Sequence, residues 1–162
     1  MISLYRMGGL LATLLLGANV YAADVAVEGA WSRATAPGQD AAMVDMSITS
    51  KQAATLVGFS SPACKAAELH SMVHEGGVMK MREVKEIALP AGQRVSLGES
   101  GLHLMLIGLK APLKAGEDVP LTLNVRMADK RIVKVEVKAA VKPLTEARAA
   151  TQDAGHMHHS HH

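Results

Sequence analysis

The segment LHLMLIGL, residues 102–109, alternates leucine with other side chains over most of its length. Successive side chains of a β-strand point to opposite faces, so this alternation predicts a strand with two different faces. His103 and Met105 would share one face, and three leucines would form the other: Leu102, Leu104 and Leu106. We expect the leucine face to pack into a core while the other face points outwards.

Short segments of the same kind lie on both sides of this strand, separated by turns that contain Gly or Pro. They predict further strands at 23–31, 41–50, 54–62, 64–72, 79–87, 93–97, 121–127 and 131–141. Gly76 and Gly77 predict a hairpin, because glycine adopts positive φ at little cost. With no convincing amphipathic helix and no internal repeat, the pattern is typical of an antiparallel β-sandwich or barrel.

The beginning of the chain differs from this middle part. Residues 1–22 read as a secretory signal peptide, with Arg6 before an apolar stretch and cleavage expected after Ala22. No other segment reaches membrane-spanning length, so we expect no membrane insertion after cleavage. A periplasmic location follows, and since no cysteine lies near the cleavage site, a freely exported protein is favoured over a lipoprotein.

Composition excludes several classes of function. The formal net charge is only +2 and aromatic residues make up 2% of the chain, so neither a basic face nor a stacking platform for nucleic acid is expected. Cys64 is the single cysteine, which excludes an internal disulfide and a CxxC redox site. We expect Cys64 to be a buried, small apolar side chain, with a reactive or intermolecular thiol as the alternative.

Four side chains of the types that bind soft metal ions lie at definite spacings between residues 70 and 105. Ten residues separate His70 from Met81, twenty-one separate Met81 from His103, and one separates His103 from Met105. Cu(I) prefers thioether sulfur and imidazole nitrogen, whereas harder ions prefer oxygen. A thioether needs no deprotonation before it binds and is not prone to disulfide formation. The four residues therefore predict a site that can hold and release Cu(I) outside the cytoplasm.

This H-x10-M-x21-H-x-M spacing, with the turn EGGVMKMR at 75–82, closely resembles the PCuAC family of periplasmic copper chaperones over residues 24–142. The resemblance implies a cupredoxin-like Greek-key antiparallel β-sandwich over 23–144, with copper as Cu(I) on His70, Met81, His103 and Met105. It also implies delivery of copper to the CuA-bearing subunit of cytochrome c oxidase, alongside a thioredoxin-like copper or thiol partner.

Other soft or charged side chains receive weaker assignments. Three near the motif are alternative ligands at most: Met72, His74 and Met79. Three further methionines are expected in the core: Met43, Met46 and Met127. Trp31 is expected to be structural, and the carboxylates near the site are expected to be solvated: Glu68, Glu75 and Glu83.

Residues 145–162 contain almost no large apolar side chains, which predicts a disordered, metal-collecting tail. Its expected ligands are His156, Met157, His158, His159, His161 and His162. Imidazoles without fixed geometry would suit Cu(II) better than Cu(I). A remnant of an affinity tag is the alternative, although Met157 and Ser160 interrupt the histidine run.

Three other functions compete with a copper chaperone. The first is copper sequestration for tolerance, without a dedicated acceptor. The second is electron transfer by a cupredoxin, which needs a Cys ligand that the motif lacks. The third is an enzyme, which we do not expect, because four protein ligands leave no open position on the metal for a substrate.

Overall fold

The computed structural model of the protein describes residues 24–144, which form ten β-strands and no α-helix. The strands are β1 Val25–Arg33, β2 Ala41–Ser50, β3 Ala54–Ser60, β4 Cys64–Glu75, β5 Val78–Val84, β6 Ile87–Leu89, β7 Arg94–Leu97, β8 Leu102–Leu109, β9 Asp118–Met127 and β10 Ile132–Lys142. No helix among these residues has the length and apolarity needed to cross a membrane. The predicted signal peptide and the predicted metal-collecting tail lie outside the described residues.

Hydrogen bonds connect the strands in the order β5-β4-β8-β2-β1-β10-β9-β3-β6, and β7 also pairs with β2. The all-β prediction is confirmed. One pairing departs from a fully antiparallel sheet, because β1 and β10 run parallel. A hairpin cannot join parallel neighbours, and here all the intervening strands form the connection between the first strand and the last.

The path folds over so that its two halves enclose one core. Strands near one end contribute Val44, Leu69, Leu104 and Leu106, while strands near the other contribute Leu56, Leu121, Leu123 and Val125, all less than 5% exposed. Burial of each such side chain stabilises the fold by about 1.5–3 kcal/mol relative to leaving it in water. The predicted core positions of Met46 and Met127 are confirmed, at 3% and 7% exposure.

The β4–β5 hairpin forms where the glycine pair predicts it. Gly76 and Gly77 have φ angles of 58° and 81°, and Glu75 lies opposite Val78 across the turn. β5 is an edge strand whose side chains are almost all exposed. The hairpin therefore projects the end of β4 and most of β5 beyond the core, while Val84 at the end of β5 packs against it.

The predicted strand at 79–87 is wrong at its end. β5 stops at Val84, and Ile87–Leu89 forms the separate strand β6, which pairs with β3 in the other half of the sheet. Ile87 and Leu89 are 4% and 1% exposed. Burial of these two side chains explains why the chain leaves the exposed edge at Lys85 and crosses to the core.

Candidate metal centre

Strands β4 and β8 bring the two motif histidines together. His70 lies directly opposite His103, and one position along each strand Leu69 lies opposite Leu104. Directly opposed residues have Cβ atoms about 4.5–5.5 Å apart and share a face of the sheet. Leu69 and Leu104 are buried in the core. The histidine pair consequently occupies the face turned away from the core, as the alternation of LHLMLIGL predicts.

Thioethers flank this histidine pair on both sides. Met81 on β5 lies opposite Met72 on β4, two residues beyond His70. Met105 on β8 lies opposite Met43 on β2. Residues two apart along a strand are separated by about 7 Å, which the flexible methionine side chain can span. The face thus gathers all four predicted ligands, with one methionine row above and one below the histidines.

Burial across the site is graded. His103 is only 8% exposed, the His70 side chain 16% and Met81 42%, while Met105 is half-buried. The expectation that the ligand face points outwards therefore holds for Met81 but not for His103, which is buried although it faces away from the leucine core. The site is therefore open at the β5 edge and buried around His103.

Asp45 lies next to the buried His103. β2 continues past Val44, which lies opposite Leu104, to Asp45, and the Asp45 carboxylate is close enough to interact electrostatically with His103. Burial raises the pKa of Asp45, and electrostatic interactions with the neighbouring His103 and Arg33 side chains oppose that rise without cancelling it. A Cβ atom on Gly98 would collide with this carboxylate, so glycine is required there for close approach.

The ring nitrogens of the two histidines fit a soft metal ion. Nδ1 of His70 and Nδ1 of His103 are both buried without a hydrogen-bond partner. A buried acceptor without a partner costs about 1–3 kcal/mol, and a neutral imidazole nitrogen is a common metal ligand. Within residues 24–144, no three His, Cys, Asp or Glu side chains group together as a metal site. The neighbouring thioethers of Met81 and Met105 are soft donors on the same face that could complete such a site.

Two residues at the site differ from their predicted environments. Met43, predicted in the core, is 40% exposed and lies opposite Met105 on the outer face. The alternation along β2 could have predicted this exposure. Val44 and Met46 share the buried face, so Met43 lies on the other face together with Asp45. Glu68, expected to be solvated, has a side chain only 33% exposed, and its Oε2 lies 2.8 Å from His70 Nε2.

The other side chains singled out near the motif lie on β4 and β5 and are exposed. His74 lies opposite Met79 near the hairpin turn, and both are exposed. Glu75 accepts hydrogen bonds from Arg82 and Lys80, which lower its pKa, and Glu83 is exposed opposite His70.

Trp31 and Cys64 are the other two residues singled out from the sequence. Trp31 lies opposite Asp45 with Lys142 Nζ 4.5 Å from its ring centroid. Cys64 is buried at 6% exposure, as predicted, and burial raises the pKa of its thiol. Cys64 pairs with Leu109 at the far end of β8 from His103.

Comparison with known families gives one match over most of the chain. The model of the LpqE-like family, described as "Putative lipoprotein LpqE-like", matches residues 25–137. The relative "Putative lipoprotein Lxx21020" of Leifsonia xyli subsp. xyli (strain CTCB07) is 38% identical over 115 residues, which cover 70% of this chain and 69% of the relative.

Solved structures of PCuAC domains share the fold. The copper-bound PCuAC domain from PmoF2 is 21% identical with a TM-score of 0.59, covering 74% of this chain and 93% of the domain. The Cu(I) form of DR1885 from Deinococcus radiodurans is 35% identical with a TM-score of 0.57, covering 74% of this chain and 79% of DR1885. The cupredoxin-like β-sandwich expected from the PCuAC resemblance is confirmed.

Proposed function

The chain belongs to the LpqE-like family, and from that premise and the geometry of the site we propose that it binds one Cu(I) ion through His70, Met81, His103 and Met105. The observation that carries the proposal is the opposed histidine pair, whose two buried Nδ1 atoms lack partners and lie between two methionine rows. The copper-bound PCuAC domain from PmoF2 and Cu(I)-DR1885 support copper as the metal.

The donor types favour the reduced ion. Two neutral imidazoles and two thioethers place no anionic ligand on the metal, which suits a soft monovalent cation. Binding requires both imidazoles to be unprotonated, so protons compete with the metal and affinity should fall in acid. The site binds a metal and offers no catalytic set of side chains, so we infer a carrier and not an enzyme.

The graded burial supports transfer of the metal by ligand exchange. Met81 is the most exposed of the four proposed ligands and lies on the edge strand β5, whereas His103 is buried. An acceptor thiolate can approach over β5 and replace the weakly bound Met81 thioether first, while the histidines still hold the ion. Copper would then move to the acceptor without being released into solution.

We propose that the acceptor is the CuA-bearing subunit of cytochrome c oxidase, with a thioredoxin-like protein as a further partner. The support is the PCuAC resemblance of the four-ligand motif. The lipoprotein names of the family and of the Leifsonia relative support export; a periplasmic location and cleavage near Ala22 are part of the proposal. The tail residues from His156 to His162 would collect Cu(II).

An anaerobic Cu(I) titration against a competing chelator tests the binding site. The mature chain would be used with its five tail histidines changed to serine, so that only the β-sandwich can bind tightly. We expect one tight equivalent, and we expect the double variant Met81→Leu/Met105→Leu to lose it. Met79→Leu is the matched control, because Met79 is an exposed methionine two residues from Met81 on the same strand. Unchanged binding in the double variant would refute the assignment.

Delivery is tested separately by mixing the Cu(I)-loaded chain with a copper-free CuA domain under reducing conditions. Appearance of the CuA absorption bands after reoxidation would support the chaperone. If tight binding is observed but no copper moves to the acceptor, the protein is better described as a copper-sequestering protein.

A further inference from the structure

Glu68 and His70 form the closest polar contact at the site. They are two residues apart on β4 and therefore on one face, and Glu68 Oε2 lies 2.8 Å from His70 Nε2. Both side chains are partly buried, at 33% and 16% exposure. Across the sheet, Glu68 lies opposite Met105, so it occupies the methionine row next to the histidine pair.

We propose that Glu68 is a positioning residue that holds His70 in the tautomer protonated at Nε2, so that Nδ1 is the nitrogen that binds the metal. A neutral imidazole carries one proton, and the hydrogen bond at one nitrogen decides which nitrogen keeps a free lone pair. Glu68 is an acceptor, so Nε2 must donate. Nδ1 of His70 is then a lone-pair donor that is buried and has no partner.

The assignment rests on the proposed function, since it names the ligand atom of the same site. Carboxylates that accept the second ring N–H of a metal-bound histidine orient the ring and raise its basicity. Glu68 itself is a poor ligand for Cu(I), because its oxygen is hard and one oxygen is already bonded to His70. Its role is therefore to act on the imidazole.

A second carboxylate close to His70 provides the matched control. Glu83 lies directly opposite His70 on β5 but is exposed, whereas Glu68 is partly buried against it. A general effect of negative charge near the metal would be reduced in both Glu68→Ala and Glu83→Ala, although less in the latter because exposed Glu83 is screened by solvent. A positioning effect would be lost only in Glu68→Ala.

The first test is nitrogen-15 NMR of the histidine rings in the copper-free mature chain at about pH 8, well above the pKa of a free imidazole. We expect His70 to be protonated at Nε2 in the wild type and in Glu83→Ala, and to populate both tautomers in Glu68→Ala. Glu68→Gln should retain the wild-type tautomer when its amide oxygen faces Nε2 and accepts from it, whereas an amide turned the other way would donate to Nε2. A mixture of tautomers in the wild type would overturn the inference, and this measurement does not depend on copper binding.

The second test is the Cu(I) affinity of the same variants, with the tail histidines changed to serine. Glu68→Ala should weaken binding about 10–100-fold, as is typical for loss of such a partner, while Glu83→Ala and Glu68→Gln should remain close to the wild type. Equal weakening in Glu68→Gln, with its tautomer retained, would mean that charge and not orientation matters. If the wild type itself binds no Cu(I) tightly, the proposed function fails, whereas the tautomer result stands by itself. Amide spectra of each variant confirm that it is folded.

Discussion

Replacement of Leu104 by alanine tests whether β8 presents the faces described above. Leu104 is fully buried and lies opposite Leu69 on β4 and Val44 on β2, both in the core. The neighbouring residue, Met105, is half-buried on the opposite face and can be replaced in the same way. The two substitutions should therefore have very different effects on stability.

The magnitude follows from burial. Leu104→Ala removes three buried carbon groups, which corresponds to about 2.4 kcal/mol of transfer free energy. The cavity left between Leu69 and Val44 raises the total loss of unfolding free energy to about 3–4 kcal/mol. Met105→Ala leaves no enclosed cavity and should cost about 1 kcal/mol or less. Domains of this size have about 5–15 kcal/mol of stability, so both variants should still fold.

Urea unfolding of the copper-free chain measures both values, with the fluorescence of Trp31, the single tryptophan, as the probe. Copper must be absent, because a ligand that binds only the folded state adds to the apparent stability. The dependence of the unfolding free energy on urea should be unchanged, since the same surface is exposed on unfolding. A small loss in Leu104→Ala together with a large loss in Met105→Ala would refute the described register, because a shift of one residue exchanges the faces of a strand.

Three further outcomes follow from the burial of single side chains. Met46→Ala should lower the unfolding free energy by about 2–4 kcal/mol, whereas Met43→Ala should change it by less than about 0.5 kcal/mol, which urea titration can separate. Burial raises the folded-state pKa of Asp45 above its unfolded value of about 3.9. The contribution of Asp45 to stability is therefore fully present below about pH 3.9 and is lost as the pH rises through the folded-state pKa. The copper-free Asp45→Asn variant should gain stability relative to the wild type as the pH rises from about 4, and parallel pH curves would contradict this. The buried Cys64 thiol, whose pKa is also raised by burial, should react slowly with a thiol reagent in the native chain and rapidly in urea, whereas fast native labelling would contradict its burial.

Most of the strand pattern could be predicted from local alternation. The β8 segment alternates clearly, and the glycine pair at 76 and 77 fixes the β4–β5 hairpin, so both follow from nearby residues. The separate strand β6 could not be predicted in this way. Ile87 and Leu89 pair with β3, far away in sequence, and only the tertiary core explains why they leave the edge strand.

The candidate site was predictable as a set of residue types but not as an arrangement. The spacing along the chain identifies His70 and His103 as candidate ligands. Their direct opposition depends on the register between β4 and β8, which sequence alone does not determine. The exposure of Met43 was missed because methionine in a β-sandwich is usually core. The contact between Glu68 and His70 depends on how far each side chain is buried, which alternation does not reveal.

X-ray absorption at the copper edge of the Cu(I)-loaded chain, with the tail histidines changed to serine, tests the central claim most directly. The account predicts a Cu(I) ion surrounded by both nitrogen and sulfur neighbours, with the sulfur contribution lost in Met81→Leu/Met105→Leu and retained in Met79→Leu. A copper environment made only of nitrogen and oxygen in the wild-type sandwich, or sulfur that persists in the double variant, would contradict it.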